Sequence, residues 1–147
     1  MKTRRLLPIA APILLGSVAL TAWIALPSHE GLGVLDVPEL VQRLDDPQRP
    51  PVLVDANSAD TREKNGVIPG ARLLTSYRDY DPERELPADR FTPLVFYCYN
   101  AWCTSATEAA RKARDAGYHD VSVLPEGLAG WIRAGRTVAR LTAGVRS

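Results

Sequence analysis

The chain has 147 residues, of which 46% are hydrophobic and 24% are charged, and its formal net charge is +1. This length suits one domain with a hydrophobic core and is short for two. A net charge near zero does not indicate the basic surface that nucleic-acid-binding proteins carry, so no nucleic-acid partner is expected.

The chain opens with a basic segment followed by an uncharged apolar run. Three basic residues lie among the first five, and no charged residue occurs from 6 to 28. This pattern is typical of an export signal, and it is also long enough to cross a bilayer as an uncleaved anchor. We therefore predict a signal peptide or membrane anchor at 1–28. The domain is then expected in the periplasm or another extracytoplasmic space, anchored to the inner membrane if the segment is retained.

Strand and helix signals alternate after this segment, which predicts a parallel sheet flanked by helices in an α/β fold. The predicted strands lie at 34–35, 52–54, 71–74, 94–97 and 121–124. The predicted helices lie at 38–44, within 57–65, at 104–116 and at 127–134. Asp36 is expected to cap the first helix. The charged segment 76–90 is interpreted as an exposed connection with one helical turn, and residues 137–147 as a loose C-terminal tail.

Three segments together resemble the rhodanese-like family. Gly66-Val67-Ile68-Pro69-Gly70-Ala71 resembles its Gly-His-Ile-Pro-Gly-Ala signature, with Val67 in place of histidine. Val95-Phe96-Tyr97-Cys98 resembles the strand that delivers the family's nucleophile. The stretch from Gly117 to Trp131 resembles its closing strand and glycine-rich turn. The order and spacing of these segments are far more specific than any one of them.

The resemblance implies a rhodanese-like domain at 34–136 with a five-stranded parallel sheet and a cysteine, Cys98, that forms a persulfide. The chain departs from the family at two points. Asp55-Ala56-Asn57 keeps the aspartate of an Asp-x-Arg pattern and loses the arginine, and no basic residue lies between Cys98 and Glu108. The chain is most similar to a two-cysteine variant of the family.

The loop after the fourth predicted strand is the predicted catalytic site. We expect the backbone N–H groups of this loop and the start of the next helix to form an anion-holding cradle that lowers the pKa of Cys98. The cysteine would attack a sulfane sulfur and hold it as a persulfide. The side chains expected to shape the substrate pocket are those of Tyr99, Asn100, Ala101, Trp102 and Thr104.

Cys103 leaves several functions open. It is a second candidate catalytic residue, which would resolve a persulfide on Cys98 or form a disulfide with it. The leading hypothesis is an exported sulfurtransferase or persulfide carrier, with thiosulfate or polysulfide as donor and a thiol or redox protein as acceptor. One alternative is a thiol–disulfide redox protein that uses both cysteines. Another is a non-catalytic docking module of a membrane redox system.

A phosphatase is disfavoured, because the related Cys-x5-Arg pattern would need an arginine where Thr104 stands. Two separated histidines and two cysteines predict no metal site, and no cofactor is expected. Arg62 is interpreted as a solvated surface charge, although it would replace the missing anion-binding arginine if it faced the cleft. Trp131 is expected to fill the core beneath the last turn.

Overall fold

The computed structural model describes residues 31–141. The predicted signal or anchor segment and residues 142–147 lie outside the described residues. Within 31–141, no helix is both long and apolar enough to cross a bilayer.

One parallel sheet of five strands forms the centre of the domain, in the order β1-β5-β4-β2-β3. The strands are β1 (Gly33–Val34), β2 (Val52–Asp55), β3 (Arg72–Leu73), β4 (Leu94–Tyr97) and β5 (Val121–Leu124). The predicted α/β fold with a five-stranded parallel sheet is confirmed. Because β4 is the middle strand, the residue that follows it emerges at the centre of the carboxyl edge, where open parallel sheets bind their ligands.

Five helices complete the fold: α1 (Val37–Leu44), α2 (Ala59–Asn65), α3 (Pro82–Glu85), α4 (Ser105–Asp115) and α5 (Gly127–Arg133). Asp36 caps α1 as predicted. Its carboxylate accepts the Glu39 N–H at 2.8 Å, and the Glu39 carboxylate accepts the Asp36 N–H at 3.1 Å. This reciprocal pair satisfies two of the N–H groups that every helix leaves open at its start.

Alternate side chains of β4 pack on opposite faces of the sheet. Leu94 and Phe96 belong to the core cluster that includes four buried alanines of α4, whereas Val95 and Tyr97 belong to the cluster formed with α1 and α5. Small alanine side chains let α4 lie close to the sheet. The two-residue period continues to Cys98, which belongs to the α4 cluster.

The connection from 76 to 90 is less exposed than the sequence indicates. Tyr80 and Leu86 are buried, and the Tyr80 hydroxyl donates a hydrogen bond to the Ala109 carbonyl at 2.7 Å. Both side chains belong to the core cluster that includes the buried alanines of α4, while most of the charged side chains of the segment are exposed.

The first residues of the predicted tail are held in place, contrary to the expectation of a loose tail. Ala139 and Val67 exchange two backbone hydrogen bonds of 2.9 Å, and Arg140 donates a hydrogen bond to the Lys64 carbonyl at 2.7 Å. Trp131 is buried as expected, and its indole N–H donates to the Thr137 carbonyl at 2.8 Å. These contacts fix the chain as far as residue 140.

Candidate functional site

The loop that follows β4 is hydrogen-bonded through its backbone to the start of α5. The Leu128 N–H donates to the Cys98 carbonyl at 2.9 Å, and the Ala129 N–H donates to the Tyr99 carbonyl at 2.8 Å. Gly127 has φ of +59°, and a Cβ at this position would lie 2.4 Å from the Cys98 carbonyl oxygen. Only glycine permits this backbone conformation and this close approach together.

Asn100 closes the loop on itself. Its side-chain oxygen accepts the Trp102 N–H at 3.1 Å, and its carbonyl accepts the Cys103 N–H at 3.1 Å. These two N–H groups are therefore bound within the loop, in contrast to the predicted cradle in which the whole loop faces an anion. The N–H groups that hydrogen-bond the Cys98 sulfur are those of Tyr99 and Ala106.

The two cysteines are free thiols in contact with each other. Cys98 is 3% exposed, whereas Cys103 is partly exposed. The Cys98 thiol donates to the Cys103 carbonyl at 3.0 Å and lies 3.9 Å from the Asn100 carbonyl oxygen. The Cys103 sulfur is a further acceptor for the same Cys98 S–H hydrogen. Cys98 is therefore the member of the pair whose sulfur faces two carbonyl oxygens.

The pKa values of the pair move in opposite directions. The hydrogen bond to Cys103 and burial raise the pKa of Cys98, and the N–H groups of Ala106 and Tyr99 offset this only in part. The hydrogen bonds from Cys98 and from the Ser105 hydroxyl lower the pKa of Cys103 to about 5, although burial opposes them. The expectation that the cradle lowers the pKa of Cys98 is therefore wrong: the lowered pKa belongs to the second cysteine, because the first is more deeply buried and donates a hydrogen bond to it.

Two cavities meet at Cys103. A small cavity of about 40 Å³ is lined by both cysteines together with Ala101, Thr104 and residues of β5. A wider cleft of about 390 Å³ is lined by Cys103 but not by Cys98. The other side chains around this cleft are those of Asn57, Ser58, Ala59, Thr61, Thr75, Ser76, Tyr77, Tyr99 and Ser105. None of the described residues around either cavity is a lysine or an arginine.

The five predicted pocket residues separate into three groups. Ala101 and Thr104 line the small cavity, and Tyr99 lines the wider cleft. Asn100 makes the hydrogen bonds that close the loop, and Trp102 is 92% exposed at its tip and lines neither cavity. The Thr104 hydroxyl donates to the Glu108 carboxylate at 2.9 Å instead of capping α4.

The polar wall of the wider cleft was not predicted from the sequence. It comes from the residues that follow β2 and β3, among them Asn57 and Thr75. The carboxyl ends of parallel strands meet at one edge of the sheet. The polar residues directly after two predicted strands could therefore have indicated this wall. Asn57 is 8% exposed, and its side-chain nitrogen is buried without a hydrogen-bond partner.

Arg62 forms a buried ion pair, so its interpretation as a solvated surface charge is wrong. The residue is 7% exposed, and its guanidinium donates to the fully buried Asp55 carboxylate at 3.1 Å. It also donates to the carbonyls of Asp55 at 2.8 Å and Leu74 at 2.9 Å. Since these bonds occupy the guanidinium, it does not replace the missing anion-binding arginine. The same carboxylate accepts the Asn57 N–H at 2.7 Å, which fixes the wall of the cleft.

No group of three metal-ligating side chains occurs within the part of the chain that the structure describes.

A family model for the rhodanese-like domain matches residues 36–134. A curated relative, the HTH-type transcriptional regulator Rv0324 of Mycobacterium tuberculosis, is 41% identical over 73 residues. That match covers 50% of this chain and 31% of the regulator, so the chain spans less than a third of the length of this relative.

Two solved structures with a similar fold are sulfur-transferring enzymes. The thiosulfate sulfurtransferase of Pseudomonas aeruginosa has a TM-score of 0.60 and 25% identity, and the match covers 80% of this chain and 22% of that one. The polysulfide-sulfur transferase of Wolinella succinogenes has a TM-score of 0.62 and 14% identity, with 80% and 85% covered.

Proposed function

Since this chain belongs to the rhodanese-like domain family, we propose that it is a sulfurtransferase or persulfide carrier that holds sulfane sulfur on Cys98. The observation that carries the proposal is the placement of this thiol at the end of the central strand, beside a small cavity and the N–H groups of Tyr99 and Ala106. These donors would stabilise the negative charge of a persulfide, which ionises more readily than a thiol. The names of the two similar enzymes support sulfur transfer as the type of reaction.

The cavities favour a donor of lower charge, such as an organic persulfide or a singly ionised polysulfide, over thiosulfate. Thiosulfate carries two negative charges, and a binding site for it needs cationic side chains to offset their desolvation. The described residues that line the small cavity and the wider cleft include none. We expect thiosulfate to be a poor donor for this protein.

Mass spectrometry of the reduced, purified protein tests the proposal. Both cysteines lie in one tryptic peptide, because no lysine or arginine occurs between Arg90 and Arg111. After the reaction with polysulfide has reached equilibrium, this peptide is expected to have gained one sulfur atom. Fragmentation of the peptide in the mass spectrometer should locate that atom on Cys98. The Cys98→Ser/Cys103→Ser double variant should gain none. A wild-type peptide without added sulfur would refute the proposal.

The contact between two free thiols favours thiol–disulfide exchange as a second candidate function. A Cys98–Cys103 disulfide that forms readily, with no added sulfur after polysulfide treatment, would support this alternative. Both functions fit an acceptor that is a thiol or a redox partner protein.

We further propose that the domain acts outside the cytoplasm, on the basis of the basic and apolar segment at 1–28. Cell fractionation with and without this segment tests the proposal. Retention of the full-length chain in the cytoplasm would refute it.

A further inference from the structure

We propose that Cys103 is the thiol that first meets the sulfur donor, and that it passes the sulfane sulfur inward to Cys98. This relay depends on the proposed sulfur-carrying function and adds the path by which the sulfur enters. It also assigns a donor class, an organic persulfide, whose outer sulfur is bound to a sulfur on carbon.

Access to solvent distinguishes the two thiols. Cys98 is 3% exposed and, of the two cavities, lines the small one of about 40 Å³. By this measure one water molecule needs about 10–15 Å³, so the small cavity holds only a few water-sized groups and is narrow for a donor with a carbon skeleton. Cys103 lines both this cavity and the cleft of about 390 Å³. A donor in the cleft therefore reaches the second cysteine before the first.

The hydrogen bonds around the sulfurs support the same order. The Cys98 thiol faces the carbonyl oxygens of Cys103 and Asn100, which favour the protonated form. The Cys103 sulfur receives hydrogen bonds from the Cys98 thiol and from Ser105, which favour the thiolate. The thiolate is the attacking species in sulfur exchange, so the ionised member of the pair is the one on the cleft.

The relay needs no oxidant or reductant. The Cys103 thiolate attacks the outer sulfur of a donor R–S–SH, the S–S bond of the donor breaks, and R–S⁻ leaves while Cys103–S–SH forms. Cys98 then attacks the outer sulfur of that persulfide while its proton passes to the departing Cys103 sulfur. Cys98–S–SH forms, and the Cys103 thiol gives the proton to R–S⁻ in the cleft and becomes a thiolate again. The net reaction is R–S–SH plus Cys98–SH giving R–SH plus Cys98–S–SH.

The lining of the cleft indicates the donor class. Apart from Cys103 itself, its side chains are five serine or threonine hydroxyls, one amide, one methyl group and two tyrosine rings, with no lysine, arginine or carboxylate among them. Asn57 adds a buried side-chain nitrogen without a partner at this wall. Such a surface suits a donor with hydrogen-bonding oxygens and little net charge, and an organic persulfide with a carbonyl or hydroxyl group meets that description.

A rapid-quench experiment on the full-length protein tests the relay. Wild type, Cys98→Ser and Cys103→Ser are mixed with cysteine persulfide at pH 6, quenched with an alkylating agent at increasing times and fragmented in the mass spectrometer. We expect the sulfur in wild type to be on Cys103 first and on Cys98 later. Cys98→Ser should load Cys103 at about the wild-type rate. Cys103→Ser should load Cys98 at least about tenfold more slowly, since the donor must then reach a buried thiol.

Loading of Cys98 in Cys103→Ser at the wild-type rate, or a wild-type time course in which Cys98 carries the sulfur from the first time point, would overturn the relay and leave the sulfur-carrying function intact. Absence of sulfur from all three proteins would overturn the function as well. The wild-type time course does not depend on whether either variant folds correctly.

Discussion

Gly127→Ala tests whether α5 sets the position of the cysteine loop. The alanine Cβ would lie 2.4 Å from the Cys98 carbonyl oxygen and 2.8 Å from the Tyr99 carbonyl carbon, both of which are backbone atoms. The loop must therefore move away, and the hydrogen bonds from Leu128 and Ala129 to these two carbonyls lengthen or break.

The expected loss of stability has two parts. An alanine at a φ of +59° costs about 1–2 kcal/mol, because its Cβ crowds the following carbonyl. Each of the two loop hydrogen bonds contributes about 1 kcal/mol. We therefore expect Gly127→Ala to lower the free energy of unfolding by about 3–4 kcal/mol, a large part of the 5–15 kcal/mol typical of a domain.

Urea denaturation measures this loss, and Gly135→Ala is the matched control. Gly135 lies just after the other end of α5 with φ of +73°, but a Cβ there meets no atom within 4 Å. Gly135→Ala should therefore lower the free energy of unfolding by the conformational cost alone, about 1–2 kcal/mol. Alkylation of Cys98 should become severalfold faster in Gly127→Ala and stay unchanged in Gly135→Ala.

Equal destabilisation of the two glycine variants, with the same alkylation rate of Cys98 as in wild type, would refute the reasoning. It would mean that the loop keeps its place without the contact to α5.

Three further predictions concern the ion pair, the thiol pair and the loop tip. Arg62→Leu should lower the free energy of unfolding by about 3–5 kcal/mol in urea denaturation, because it leaves the Asp55 carboxylate buried without its cation. Alkylation of Cys103 as a function of pH should have its midpoint near 5, since the lowered pKa keeps the thiolate as the pH falls to that value. In Cys98→Ala, which removes the donor, the midpoint should rise toward the 8.5 or so of an ordinary thiol, because the strongest hydrogen bond to the sulfur is lost. Trp102→Ala should change the free energy of unfolding by less than about 0.5 kcal/mol, as the side chain is 92% exposed.

Each of these has a control or a contrary outcome. Lys64→Met, at an exposed position of the same helix as Arg62, should change stability by less than about 0.5 kcal/mol. If the alkylation of Cys103 in wild type has its midpoint near pH 8.5, the hydrogen bond from Cys98 does not stabilise the Cys103 thiolate. A loss of more than about 1 kcal/mol in Trp102→Ala would place that ring against the domain in solution.

Most of the fold was predictable because its strands have strong local signals. The run 94–97 is continuous and apolar, and the run 121–124 is apolar except for Ser122. Both are interior strands of the sheet with every residue buried. The edge strands β1 and β3 are two residues long, and each of their predicted bounds differs from the observed one by one residue. The buried Tyr80 was missed because charged neighbours mask it in the sequence.

The site was only partly predictable, because its properties depend on groups from separate elements. The position of Cys98 follows from the strand before it. The partner of Arg62 and the opposite pKa shifts of the two thiols depend on which atoms the folded chain brings together. Spacing alone gives the number of residues between two cysteines, but not which sulfur is buried and which one faces carbonyl oxygens.

The parallel direction of β1 determines how a tethered domain would present its site. Gly31 leads into the sheet at the amino ends of the strands, whereas the cysteine loop lies beyond their carboxyl ends. Four residues of strand separate the two edges by about 13 Å, at about 3.3 Å per residue. An anchor at 1–28, if retained, would therefore be joined to the described domain at the edge opposite the cysteine loop.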